Sequence, residues 1–277
     1  MALPSPRGLL AVWVVVCLSG HPVAAQTGMI DDDDTLDNVA GDGGGGHNSD
    51  PAPRARPPSG QTSRGRPPSL SVTSTIWFGF RHKFSKDFLV DFYTKQKSGV
   101  REQPYQTPTT EAAGGLSAAW SVAGFTLSGA FETKESFKGF YGPWNGTGYD
   151  LRTAIARQIP LWESWSVTTS MLTSHLWSSV RTRERWKVEL AAPLNFQLGN
   201  GWTLQPLIPS VALSAYTHRR TGQRDWTFDI GAGVRYQVNP VTVLAMSAGF
   251  EQRLSNVATA EYSRWVLRPK VQVRVNF

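Results

Sequence analysis

This chain of 277 residues has five histidines and one cysteine, a thin supply of catalytic bases and soft metal ligands. A hydrolase needs a nucleophile, a base within hydrogen-bond reach and a third group that orients the base. Ser174 and Ser178 flank His175, but adjacent residues on a strand point to opposite faces. His47, His82, His175 and His218 are scattered without the spacing of metal ligands. Asp31-Asp32-Asp33-Asp34 lacks the spaced ligands and the glycine of a calcium loop. Gly231-Ala232-Gly233 reads as small residues inside a strand rather than as a phosphate-binding turn. The residues therefore predict no catalytic centre, no metal and no cofactor. A lipid-modifying hydrolase around His175 or His82 is the competing reading.

The chemistry that does recur is charge placed at every second residue of long apolar segments. Trp186, Val188, Leu190, Ala192, Leu194, Phe196 and Leu198 alternate with Lys187, Glu189, Asn195 and Gln197. Trp226 to Val238 alternates in the same way around Asp229 and Arg235. The last segment sets Val271, Val273, Val275 and Phe277 against Lys270, Gln272, Arg274 and Asn276. Period two is the signature of strands with two chemically different faces. If the apolar set faces lipid, the other face lines an interior. That interior set is Arg81, Asp91, Tyr93, Lys95, Glu132, Asp150, Arg152, Lys187, Glu189, Asp229, Arg235, Glu251, Arg253, Arg268, Lys270 and Arg274. Such charges either pair across the interior and plug it, or line a wet constriction that selects by sign.

The segments holding these residues are long, often 10–14 residues, against about 5–6 in soluble sheets. Tight turns at Ala123-Gly124, Gly199-Asn200-Gly201, Asn239-Pro240 and near Pro160–Glu163 alternate with longer loops at 135–149, 177–184, 218–224 and 255–262. Long two-faced strands joined by alternating short and long connections describe a transmembrane β-barrel. Only a closed barrel satisfies every extended backbone group in lipid. A secreted β-sandwich is the soluble rival, but its outward face is polar. Here Trp77, Trp165, Trp186, Trp202, Trp226 and Trp265 stand near segment ends, where barrels carry aromatic girdles. The expected fold is an all-β antiparallel barrel of 12 strands over residues 72–277, with 10 as the alternative. The count of 12 includes a poor segment near 100–106.

Composition agrees with this class. Charged residues make up 18%, against about 25% in average proteins. Residues 1–25 read as a secretory signal: Arg7, the apolar run Leu9 to Leu18, and Val23-Ala24-Ala25 before Gln26. The one cysteine, Cys17, falls inside it. Residues 26–71 are rich in Asp, Gly, Pro and Arg and offer too little apolar surface to order, so they are expected to be a disordered linker. Of the 28 basic residues, Arg7 lies in the signal and four arginines in the linker, leaving 23 for the barrel. Of the 21 acidic residues, seven are linker aspartates, leaving 14, so the barrel carries a net charge of +9.

The signal, the two-faced strands and the alternating segment closing on Phe277 together resemble bacterial outer-membrane β-barrel proteins at the porin-like level. The resemblance implies that Val271, Val273, Val275 and Phe277 form the signal read by the barrel assembly machinery. Pro269 is an unusual intrusion in such a closing strand, because it removes a ladder donor. The resemblance also implies an outer-membrane location and contact with lipid and lipopolysaccharide, for which two loop clusters are suited: Arg181, Arg183, Arg185, Lys187 and Arg219, Arg220, Arg224. Nucleic acid is not an expected partner, since no binding motif accompanies the charge. A periplasmic partner for the linker is the remaining partner reading. The leading functional expectation is a porin-like passive channel, its positively biased lumen passing small anionic solutes. The alternative is a non-conducting structural or adhesion barrel that acts through loops such as 135–149, which carries Phe137, Phe140, Tyr141 and Trp144.

Overall fold

A computed structural model describes residues 69–101, 109–139, 142–219 and 222–277. The signal segment, the linker up to Pro68, most of the expected strand near 100–106, and Phe140, Tyr141 and Arg220 lie outside the described residues. The strands are β1 (Ser69–Lys83), β2 (Phe88–Arg101), β3 (Thr109–Val122), β4 (Phe125–Lys138), β5 (Trp144–Trp162), β6 (Trp165–Ser178), β7 (Arg185–Ala191), β8 (Leu194–Gly199), β9 (Trp202–Tyr216), β10 (Arg224–Gln237), β11 (Thr242–Ser255) and β12 (Tyr262–Asn276). β1 begins at Ser69, three residues before the expected start of the barrel.

Twelve strands form one sheet, and its first and last members meet, so the sheet is a closed barrel. Eleven strands make the ring, which corrects the expectation of an even-numbered barrel. β7 and β8 share one place in it: both pair with β6 and β9, and their register against β6 is unbroken. Ala191 faces Ser170 and Leu194 faces Val167, three residues further along each strand. Pro193 lies in the gap, and without an N–H it cannot continue the ladder.

An odd ring cannot be antiparallel throughout. β1 and β12 run parallel, with Ser69 beside Arg264 and Arg81 beside Asn276, which corrects the fully antiparallel expectation. Their ladder passes from Val72–Leu267 directly to Thr75–Lys270, interrupted where Pro269 has no donor. As a result Ser69 and Phe277 stand at opposite ends of the barrel. One end, here the turn end, holds Phe277 and the tight connections. At Ala123-Gly124 both central residues have positive φ (50° and 78°), the geometry of the type I′ hairpin that matches strand twist. The other end, the loop end, holds residues 179–184, 217–219, 222–223 and 256–261 and the start of β1.

The expected loop at 135–149 is largely strand. β4 runs to Lys138 and β5 starts at Trp144, with Phe137 opposite Trp144. Polar outward residues such as Thr133 and Glu135 hide the alternation there. Arg185 and Lys187 are likewise strand residues, buried on the inner face, and not loop charges.

Outside, the barrel is apolar: Ile76, Phe92, Leu151, Leu190, Ile230 and Met246 are each 45% exposed or more. Inside, it is polar and charged. This is the reverse of a soluble core.

Candidate functional site

The inner face gathers nearly all the strand charge, because residues two apart on a strand share a face. Glu132 on β4 is 1% exposed and sits at the centre of one cluster. Lys95 approaches it from β2 at 2.9 Å, Lys134 at 3.3 Å and Arg152 from β5 at 3.4 Å. The Tyr93 hydroxyl donates to it at 3.0 Å. Asp150 holds the other side of the same cations, 2.7 Å from Lys134 and 2.7 Å from Arg152. Cross-strand register makes this possible: Glu132 lies opposite Asp150, and Ala130 opposite Arg152.

A second cluster spans β10 to β12. Arg264 donates twice to Glu251, at 2.8 and 2.9 Å, and the Tyr262 hydroxyl also donates to Glu251. Arg268 reaches both Asp229 and Glu251. Asp225, fully buried, accepts from Gln223 and Ser255 and lies 3.6 Å from Arg253. Lys187 and Glu189 pair along β7 at 2.9 Å. A buried ion without a partner costs several kcal/mol, so these contacts are what lets the charges face inward. Together they occupy the interior from mid-barrel to the loop end.

Toward the turn end lies a cavity of about 720 Å³. Lys95, Glu132 and Glu251 form its inner limit, while Gly201 and Gln237 line it near the turns. Its walls differ. On β8 and β9 they are amides and hydroxyls tied together: Gln205 donates to Asn195, and Thr203 to Gln197, each at 2.9 Å. On β10 and β12 they are Arg235, Arg268, Lys270 and Arg274. Arg81 and Asp91 close the pattern at the turn end, in a two-bonded pair with both distances 2.8 Å.

The residues expected inside are thus placed on the inner face: Arg81, Asp91, Lys95, Glu132, Arg152, Glu189, Asp229, Arg235, Glu251, Arg268, Lys270 and Arg274. They divide into paired clusters rather than a ring. Sequence reasoning missed Lys97, Glu111, Lys134, Arg185, Asp225 and Arg264, all buried here. Their signal was available in the same alternation: Lys97 and Glu111 lie past the ends assumed for their strands, and Lys134, Arg185, Asp225 and Arg264 lie within them. Outside the strands, burial lowers the Arg183 guanidinium from its usual value, against the attraction of Glu111.

Trp77 was expected in an outer girdle, but it is 5% exposed and faces inward, stacked on Tyr93 at 5.6 Å. The reason is local: its neighbour on the same face is Gly79, and a Cβ there would lie 2.2 Å from the Trp77 ring. Gly79→Ala is therefore expected to displace the indole and cost about 1–3 kcal/mol, as overpacking does. Tryptophan emission and urea unfolding would check both effects. The other expected girdle members are placed outward: Trp186, Trp202, Trp226 and Trp265 are exposed, and Trp165 packs tilted against Phe196, with ring centroids 4.6 Å apart.

Ser174 is buried inside, whereas His175 lies outside between Trp177 and Trp186, with ring centroids 4.1 and 4.0 Å away. His82 stands at the turn end, its Nδ1 3.0 Å from the Phe277 carbonyl. Phe277 is 65% exposed, packs on Phe80, and donates its N–H to Arg81 at 3.0 Å. Among the described residues, no three His, Cys, Asp or Glu side chains gather as a metal site. Arg219 stacks over Tyr216 at 4.3 Å and donates to the Thr182 carbonyl at 3.0 Å, which ties the two basic loops together. No protein-family model matches this sequence, and no curated protein matches it significantly.

Proposed function

We propose that the chain is an exported outer-membrane barrel held shut by its own ion pairs, a structural or adhesion barrel rather than an open pore. The observation that carries this is the buried network around Glu132 and Glu251. The apolar exterior supports membrane insertion, since a soluble protein rarely exposes so continuous an apolar surface. Strand length supports it too. A 14-residue strand extends about 46 Å, and at the tilt of ~40° usual in such barrels it rises about 35 Å, enough to cross an apolar band of ~25 Å. Eleven strands fall between small barrels filled by side chains and large porins that leave an aqueous channel. Val271, Val273, Val275 and Phe277, facing outward at the turn end, would then present the assembly signal.

A porin-like channel for small anions is the second reading. The turn-end cavity and its wall of Arg235, Lys270 and Arg274 favour it. Planar-bilayer recording of purified protein separates the two. Silence over many insertions is expected from the shut barrel, with conductance appearing when Glu132 and Glu251 are both replaced by alanine. Steady anion-selective conductance of the unaltered protein would establish the channel instead.

A further inference from the structure

The turn-end half of the interior carries more guanidinium than carboxylate. Glu132 and Glu251 stand at its inner limit and Glu189 is paired with Lys187, so Asp91 and Asp229 are the carboxylates beyond that limit, against the cations Arg81, Arg235, Arg268, Lys270 and Arg274. Asp91 is engaged by Arg81 through both oxygens at 2.8 Å, so Arg274, 3.7 Å away, is left beyond hydrogen-bond reach. Asp229 and Glu251 are engaged by Arg268. Among the described residues Arg235 has no carboxylate against it, and its Nε and that of Arg274 are buried without a hydrogen bond. Arg235 and Lys270 flank Ala245 from either side in the sheet, and Arg274 feels the charges of both Arg81 and Arg235.

Two features make this locus a built site rather than a surplus of charge. Arg274 is held over the Trp77 ring, 4.9 Å from its centroid, and Trp77 is itself stacked on Tyr93, so the guanidinium plane is fixed. Arg235 lies beside Thr203 in the sheet, at the edge of the amide and hydroxyl wall formed by Gln197, Asn195 and Gln205. A guanidinium fork matches phosphate and carboxylate oxygens, and side-chain amides match hydroxyl groups. The cavity's ~720 Å³ is in the range of small-molecule pockets.

We propose that this half of the barrel binds a small oxyanion borne on a hydroxyl-rich carrier, such as a sugar phosphate or sugar acid, with Arg235 and Arg274 clasping the anion and the Gln197–Gln205 wall receiving the hydroxyls. The site does not depend on whether the barrel conducts.

Isothermal titration of detergent-solubilised full chain with glucose 6-phosphate, gluconate, glucose and inorganic phosphate tests it. Saturable binding of glucose 6-phosphate or gluconate is expected, at least about tenfold tighter than glucose or phosphate alone. Comparison of the two anions identifies whether phosphate or carboxylate is preferred. Arg235→Gln and Arg274→Gln should each weaken binding about tenfold, and Arg235→Lys should restore only part, since the charge returns without the fork. Arg157→Gln, on an outward arginine over Phe125, should leave affinity unchanged. Unaltered near-ultraviolet dichroism of the variants separates lost binding from lost fold. No saturable binding at millimolar probe, or equal affinity in the Arg235 and Arg274 variants, overturns the site. Inorganic phosphate binding as tightly as glucose 6-phosphate overturns the hydroxyl-recognising wall.

Discussion

Glu132→Ala should destabilise the barrel by about 3–5 kcal/mol, the cost of breaking a buried ion pair by removing one partner. The carboxylate is 1% exposed and is shared by Lys95, Lys134 and Arg152, with a hydrogen bond from Tyr93. Without it Lys134 and Arg152 keep Asp150, 2.7 Å from each, while Lys95 loses the carboxylate it pairs with at 2.9 Å. Glu132→Gln should cost a similar amount, because shape is conserved while charge is lost. The decisive comparison is the double variant Lys95→Met, Glu132→Gln. If the pair matters as a pair, the double variant should be more stable than the sum of the single losses by about 1–3 kcal/mol. Urea unfolding in lipid micelles followed by tryptophan emission would measure all of these. A loss under about 1 kcal/mol for Glu132→Ala would mean that water reaches the cluster and screens it, as it does at surfaces. The shut-barrel reading would then lose its support.

The inner face was readable from sequence because alternation needs only one strand at a time. Glu132, Asp150 and Arg152 are assigned to the interior by their immediate neighbours Phe131 and Leu151. Which charge meets which was not readable, because it depends on register between strands. Only the ladder sets Glu132 opposite Asp150 and brings Lys95 within reach. Trp77 shows a different limit. In Ile76-Trp77-Phe78-Gly79-Phe80 almost every residue is apolar, so period two does not say which face is which. The space left by Gly79 decides it in three dimensions.

The ring number turns on residues 100–101, which continue β2, whereas Pro193 changes only the strand count. Twelve strands were counted with 185–198 as one and a further strand near 100–106. The structure also has twelve, but it reaches that number by splitting 185–198 at Pro193, and β2 runs on through Val100 to Arg101. The alternation across Pro193 is uninterrupted, so nothing in the pattern announces the break. The parity of the ring is a global property, and no single segment carries it.

That parity has a consequence that labelling can read. In an even barrel the start of the first strand and the end of the last stand at the same end. Here the parallel pairing of β1 with β12 puts Ser69 beside Arg264 at the loop end, and Phe277 beside the connection from β1 to β2. Three single-cysteine variants test this in a chain whose only cysteine, Cys17, lies in the expected signal: Ser69→Cys, Thr182→Cys and Lys86→Cys. Thr182 is an exposed loop-end residue and Lys86 an exposed turn-end residue. With a membrane-impermeant maleimide on intact cells, Ser69→Cys and Thr182→Cys should react alike, and Lys86→Cys oppositely. Permeabilised cells should label all three. The grouping holds for either orientation of the barrel in the membrane proposed for it, because it depends only on which residues share an end. Ser69→Cys reacting with Lys86→Cys rather than with Thr182→Cys would rule out the parallel closure. It would return the chain to an even ring with both termini on one side. The expected result instead places Ser69 on the same side as the basic loops that Arg219 ties together, opposite Phe277.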